Sequence, residues 1–384
     1  MSVLLPWTRK QKSKDGRGAP AHRSLPARPR PRSRAVRLLV ILAGLAAALL
    51  TVHEAYLDGT LPRPLPGGSK VWETSRLDCF EGLYALGDEP EGRAFYGPRG
   101  KIASLSRPPV QAAISGGRLY TMEGTSIYVY GPDGALSAAG TAGEGERLLP
   151  CSGLEGILMV KPASGGFGEQ WVLRVITTGG EVFRPVHLPG IPVKAAQQGK
   201  LLYLGLRDVA AGGLSRLACA DPTSGTLLWS LPLDQGHWRS VIPSPAGKTA
   251  YATSQGAGLV GPDGGLLCSF PVRGSVSAIV WENQSVIICH GSPAQPLVTV
   301  LSEAGQVIWE HPVPSPAHSL IYGESIVVAL CQTHVVGFSL RDGHREFSFT
   351  TRDLPLALGD GLVLLGKDSG ACLVDLDTNL TRLP

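Results

Sequence analysis

The sequence predicts an all-β fold: a seven- or eight-bladed β-propeller of four-stranded antiparallel blades, preceded by one N-terminal transmembrane helix. Three observations lead there. A short hairpin, clearest at Asp221-Pro-Thr-Ser-Gly225-Thr-Leu-Leu-Trp229, returns every 34 to 46 residues until the C-terminus, and a period of that size marks a repeat architecture. The repeats contain only short apolar strands and turns, in a chain with 49 Gly and 31 Pro and almost no helical periodicity. Such units bury their strands by radial repetition of small sheets. Third, residues 38–52 (LLVILAGLAAALLTV) carry no charge.

The chain opens with a basic tail. Residues 1–37 hold eleven Lys and Arg against one Asp, so the net charge of +4 divides into +10 for the tail and −6 for the rest. Rich in Pro, Arg, Gly and Ser, the tail cannot bury enough apolar surface to fold and is expected to be disordered. The apolar run, lengthened to 38–57 by its flanks, reaches the short end of the roughly 17–25 residues that span a bilayer. Read as a signal-anchor, it leaves the tail in the cytoplasm by the positive-inside rule. A cleaved signal peptide would need an unusually long charged region before it, and a buried core helix is the third alternative. Residues 58–69 (containing GTLPRPLPGG) form a Pro/Gly linker, and 70–384 form the propeller. The acidic body is no nucleic-acid platform, and the tail has only Trp7 to stack on bases.

Within the body, strands such as Leu201–Leu204, Ser325–Leu330 and Leu362–Leu365 each follow a polar Gly-bearing turn, as second strands of a meander do. The signature hairpins align at Gly100, Gly134, Gly180, Gly225, Gly264, Gly305, Gly343 and Asn379. Gly or Asn is needed there because the turn requires positive φ. Asp221 and Asp375, four residues earlier, can accept backbone N–H groups and fix the turn. Trp229, Trp309 and Phe347, four residues later, are placed to pack between neighbouring blades. Eight hairpins suggest units near 70–108, 109–145, 146–189, 190–234, 235–273, 274–314, 315–351 and 352–384. The first is the least regular; should it not make a full blade, its strand can complete the last one and close the ring at seven.

The pattern Asp221-x-x-Ser224-Gly225-x-x-x-Trp229 resembles the repeat of pyrroloquinoline-quinone-like propellers, with Cys219 where that repeat places Ala. Gly305 with Trp309 is a second match, with Leu301 in the Asp position. Gly343 with Phe347, and Asp375 with Asn379, match in part. The resemblance covers roughly 70–384. It implies a propeller of the type used in bacterial envelope assembly scaffolds, in a family that also includes quinoprotein dehydrogenases.

Those enzymes imply vicinal cysteines and a Ca²⁺ site. Here the seven Cys (79, 151, 219, 268, 289, 331 and 372) are spread nearly one per repeat, and no CxxC is present. Their placement in apolar strands reads as small buried hydrophobes. Asp375-Leu-Asp377-Thr-Asn379 lacks the Gly and Glu of a Ca²⁺ loop and coincides with the last hairpin. The nine His show no ligand spacing, and Gly165-Gly166-Phe167-Gly168 lacks the strand-to-helix context of a phosphate loop. No catalytic residue, cofactor or metal site is expected.

Candidate interface residues lie in the longest loops: Phe167 in the 162–170 insertion, Arg207 at the start of the RDVAAGG loop, and His237, Trp238 and Arg239 beside a blade entry. The expected function is a membrane-anchored extracytoplasmic binding module or scaffold with a protein partner in the envelope. A quinone-dependent or other small-molecule enzyme, or a ligand sensor, is the alternative.

Overall fold

Apolar runs broken by Gly-bearing turns leave this chain little beyond short antiparallel meanders. The computed structural model describes residues 83–351 with their side chains, apart from short gaps of which 164–169 is the longest. It describes strand backbone at 63–64, 70–72 and 76–81, and at 354–359, 362–367 and 370–375. Residues 1–62 and 376–384 lie outside the described residues, and with them the expected tail and transmembrane helix. The chain divides into residues 1–53 and Glu54–Pro384, and every described strand belongs to the second unit. Among the described residues no helix is long and apolar enough to cross a membrane.

The strands form eight sheets in chain order. Blades one to seven span 76–105, 111–141, 147–188, 191–235, 238–269, 275–312 and 319–350, each a four-stranded antiparallel meander. The first strand of each blade lies against the first strand of the next, which makes it the inner one. Blade eight contributes three strands within 354–375, and its fourth is Lys70–Trp72, paired antiparallel with the last of them (Lys70↔Leu373, Trp72↔Ala371). Lys70–Trp72 also lies against the outer strand of blade one, Gly100–Leu105, which closes the ring.

This corrects the two terminal units. The segment at 70–72 does complete the last blade, yet the count stays at eight because 76–105 supplies four strands without it. Asp375 ends the last strand, and Asn379 lies outside the described residues. The edge that a final Asp375–Asn379 hairpin would use is taken by Lys70–Trp72. Arg63–Pro64, inside the expected linker, forms a short strand parallel to the outer strand of blade seven (Arg63↔Phe349, Pro64↔Thr350).

All seven signature glycines that fall in described residues have positive φ, from +72° at Gly343 to +112° at Gly100. Their turns use several kinds of side-chain cap, among them Ser302 Oγ, which accepts the Gln306 N–H at 3.2 Å, and two arrangements of aspartate. Asp221 accepts the Thr223 N–H at 2.8 Å and the Ser224 hydroxyl at 2.9 Å. Asp133, Asp263 and Asp342 stand directly before their glycine and accept the N–H two residues on, at 3.1 Å in each case. The spacing argument had singled out only the arrangement at Asp221.

Outer strands join one blade to the next. In blade four, Ala220 pairs with Leu227 and Cys219 with Trp229, so Leu228 is the extra residue of a β-bulge. Leu267 and Ile308 take that place in blades five and six. A bulge re-aims the residue that follows it. Trp229 donates its indole N–H to the Pro262 carbonyl of blade five at 2.9 Å, and Trp309 donates to Leu340 of blade seven at 2.8 Å. The next blade's turn glycine sits under each indole: a Cβ on Gly264 would lie 2.8 Å from Trp229 Cδ2, and one on Gly343 would lie 2.8 Å from Trp309 Cδ2. Cys268 holds the tryptophan's position against Gly305, and Phe347 is buried at the same position in blade seven.

A different clamp orders the link from blade two to blade three. The Glu146 carboxylate, nearly fully buried, accepts the Arg174 Nε–H at 2.8 Å, a second guanidinium N–H at 2.5 Å and the Gly143 N–H at 2.6 Å. Burial alone would raise its pKa; the Arg174 pair, the Gly143 N–H and the Lys161 charge outweigh it and hold the carboxyl below its usual range.

Two outcomes follow. Gly199 also has positive φ but open space around it, so Gly199→Ala is expected to cost about 1 kcal/mol, from the left-handed conformation alone. Gly264→Ala adds an indole that must move and is expected to cost about 3 kcal/mol; equal losses in denaturant titrations would refute the tight contact. Glu146 has a depressed folded pKa, so its stabilisation is complete above the ordinary carboxylate range and fades as pH falls through the folded value. Glu146→Gln is expected to lose about 3 kcal/mol at neutral pH, and melting curves of the two proteins should converge in acid.

Candidate functional site

Because strands alternate in direction, each blade has two unlike ends. The turns between first and second strands and between third and fourth strands lie at one end, the turn face. The loops between second and third strands and the links from one blade to the next lie at the other, the loop face. The four candidate interface positions among the described residues, Arg207, His237, Trp238 and Arg239, fall at loop-face ends of their strands or in a loop-face connection, in blades four and five.

The structure then separates them. Arg207, near the end of the second strand of blade four (Leu201–Asp208), is exposed. His237, in the link to blade five, is exposed, and its N–H donates to Ser254 Oγ at 3.0 Å. Arg239, exposed in the first strand of blade five, donates Nε–H to the Val276 carbonyl of blade six at 3.1 Å. Trp238 is a correction. It is buried, its indole N–H donates to the Leu206 carbonyl at 2.8 Å, and its ring covers Gly205 so closely that a Cβ there would lie 2.6 Å from Cδ2. It braces blade five on blade four and offers nothing to a partner. Phe167 lies outside the described residues.

Sequence reasoning missed the basic pair beside Arg207. Arg147, half-buried in the first strand of blade three, lies over the Trp171 ring, its guanidinium carbon 4.8 Å from the centroid. Such a stack fixes a cation, and Arg147 Nη2 also donates to the Pro192 carbonyl of blade four at 3.5 Å. Burial first, and the neighbouring Arg207 charge second, lower the Arg147 pKa. Among the described residues neither Arg147 nor Arg207 belongs to an ion pair. Two like charges near one another without a carboxylate favour an incoming anionic group. The available signal was Trp171, which opens a strand directly after the 162–170 insertion, much as Trp238 opens one after its link.

Blade six holds a polar chain at the same end. His290, fully buried, accepts the Arg273 N–H on Nδ1 at 2.9 Å, which leaves the proton on Nε2. Nε2 then donates to Thr299 Oγ1 at 2.8 Å, and that hydroxyl donates to Glu310 Oε2 at 3.1 Å. Glu310 in turn pairs with Arg273 Nη1 at 3.1 Å. Burial is the main reason the His290 pKa is lowered, so the ring stays neutral. Each member spends its hydrogen bonds on the next, and Thr299 is buried, so this row ties three strands together and presents no nucleophile to solvent.

The described cysteines fit the small-hydrophobe reading. Cys151, Cys219, Cys289 and Cys331 are buried free thiols, and Cys268 is a half-buried one. Burial pushes Cys219 and Cys331 up to about 12, far from the thiolate that redox or metal chemistry needs. Among the described residues no group of three His, Cys, Asp or Glu is arranged to hold a metal.

The family described as "Outer membrane protein assembly factor BamB" matches residues 214–357, from the third strand of blade four to the first strand of blade eight. No curated protein matches the sequence. Among solved structures the chain is similar to a computationally designed protein, Ika8, at 12% identity, with 80% of this chain and 98% of that one covered and a TM-score of 0.58. It is similar to Sqt1 of Saccharomyces cerevisiae at 11% identity, with 82% and 99% covered and a TM-score of 0.56. BamB from Moraxella catarrhalis aligns at 9% identity, with 80% and 98% covered and a TM-score of 0.53. At such identities the likeness concerns the fold alone. Taken with the turn repeat of blades four to seven, these matches make the chain a β-propeller whose residues 214–357 are built from pyrroloquinoline-quinone-like repeats.

Proposed function

We propose that this protein is a non-catalytic scaffold, anchored in a membrane by residues 38–57, whose propeller lies outside the cytoplasm and binds a protein partner on its loop face. One observation carries the reading: Arg147 is fixed over Trp171 on that face, within range of the Arg207 charge, and neither arginine has a carboxylate against it among the described residues. A preorganised guanidinium pair suits acidic side chains of a partner, since bidentate carboxylate recognition is what arginine does better than lysine. Arg239 and His237, on the adjacent blades, extend the surface. The match of 214–357 to a family described as an assembly factor supports a binding role, and the basic tail ahead of the apolar run supports the topology.

The test is in-cell crosslinking of the tagged full-length protein, with identification of what is captured. A single dominant envelope partner is expected. Its capture should fall about tenfold in Arg147→Glu/Arg207→Glu, as when a desolvated charge pair is reversed, and should weaken with added salt. A partner retained unchanged by the double variant would place binding elsewhere. A purified protein carrying a visible-range quinone spectrum would turn the reading toward an enzyme.

A further inference from the structure

The bulge that aims a ring across a seam recurs in blade one, but there it aims no ring. The residue after the bulge is Trp229 in blade four, Trp309 in blade six and Phe347 in blade seven. In blade one Tyr96 pairs with Lys101 and Phe95 with Ala103, so Ile102 is the bulged residue and Ala103 holds the ring position. Trp229 shows what that position can do. Its indole N–H donates at 2.9 Å to the Pro262 carbonyl, in the turn Gly261-Pro262-Asp263-Gly264 of the next blade. Blade two, across the seam from Ala103, carries the same turn as Gly131-Pro132-Asp133-Gly134, capped in the same way by its aspartate. Among the described residues the Pro132 carbonyl accepts no hydrogen bond.

Blades one and two still touch, since a Cβ on Gly134 would lie 2.8 Å from the Ile102 carbonyl oxygen. Beside that contact lies a cavity of about 490 Å³ whose walls include Tyr84, Pro98, Arg99, Ile102, Pro132 and Asp133. Its size falls within the roughly 300–1,000 Å³ of small-molecule sites. Tyr84 is held as one wall by stacking on Phe95, with 6.0 Å between ring centroids. Arg99 and Asp133 bring opposite charges to the same cavity. Both are exposed, and neither belongs to an ion pair among the described residues. Asp133 spends one oxygen on the Ala135 N–H at 3.1 Å. An aromatic wall, a carbonyl acceptor and two separate opposite charges complement a ligand with a ring, an N–H, a carboxylate and an ammonium. We propose that this cavity binds a free aromatic amino acid, with tryptophan the best match. Its indole takes the place in this seam that Trp229 takes between blades four and five, with the N–H on the Pro132 carbonyl. Arg99 receives the carboxylate and Asp133 the ammonium. The site lies on the turn face, so it stands or falls apart from the protein partner proposed for the loop face.

The experiment is calorimetric titration of the full-length protein in detergent with L-tryptophan, and saturable 1:1 binding is expected. Asp133→Asn keeps an oxygen for the Ala135 N–H. It should weaken L-tryptophan about threefold, as loss of an exposed ion pair does, and leave indole-3-propionate, which has no ammonium, unchanged. Arg99→Ala should weaken L-tryptophan and indole-3-propionate by a similar factor and leave tryptamine, which has no carboxylate, unchanged. Ala103→Trp supplies the missing ring from the protein itself, and should abolish binding of all three while raising the melting temperature. Absence of saturable binding by L-tryptophan would overturn the proposal. So would binding that both charge variants and Ala103→Trp leave intact, which would place the ligand elsewhere. N-acetyltryptophanamide bound as tightly as L-tryptophan, and indifferent to Arg99→Ala and Asp133→Asn, would replace the free amino acid with a tryptophan side chain of a partner.

Discussion

At four of the turn glycines, Gly134, Gly225, Gly264 and Gly343, the preceding blade comes so near that a Cβ would lie 2.7 to 3.0 Å from its atoms. The backbone at each of them also takes positive φ. Gly264 under Trp229 and Gly343 under Trp309 show both demands at once. The glycine brings the turn close, the bulge aims the indole, and the indole N–H finds a carbonyl of the next blade. Blade-to-blade spacing is set by this contact. Where the large ring is absent, as at Cys268, the contact relaxes: a Cβ on Gly305 would lie an ordinary 3.7 Å from the Cys268 Sγ.

Much of this was legible in the chain because the demand is chemical and periodic. Gly225, Gly305 and Gly343 could be aligned, and Trp229 and Trp309 assigned between blades, from spacing alone. The ends were harder. Lys70–Trp72 carries no sign of its distant partner, because the hydrogen bonds of a three-residue strand are made by backbone and leave no mark on side-chain type. The candidate site was legible only in outline. Loop lengths pointed to the face on which Arg207, His237 and Arg239 stand, but a tryptophan at a blade entry has the same sequence appearance whether it faces solvent or, as Trp238 does, covers a glycine. Arg147 was invisible because its meaning comes from Trp171, 24 residues further on, and from Arg207, in another blade.

The two ends of the blades divide the chemistry. At the loop face, charge is concentrated and mostly locked: Glu146 with Arg174, His290 with Thr299 and Glu310, Asp208 with Arg216 at 2.8 Å. Such internally satisfied groups make a stiff platform, and stiffness lowers the ordering cost of binding. At the turn face the groups are glycines, the aspartates that cap their turns, aliphatic side chains and the Lys248–Glu303 pair. A propeller whose partner-binding groups are grafted at one end and whose repeats close at the other can change which partner it recognises without disturbing how it is held together.

The join between Lys70–Trp72 and the last strand has a bearing on the order in which the molecule is made. The partners lie about 300 residues apart, so one of the earliest strands to leave the ribosome waits for the last. Closing a loop of that length costs about 5 kcal/mol of chain entropy, and the gain arrives in a single step when the eighth blade receives its fourth strand. Until then both ends of the array present open sheet edges, the state in which β-rich chains aggregate. A chain whose propeller is carried across a membrane behind an N-terminal anchor would meet that interval on the far side, away from the ribosome, and would call for holding factors there that shield edges rather than cores.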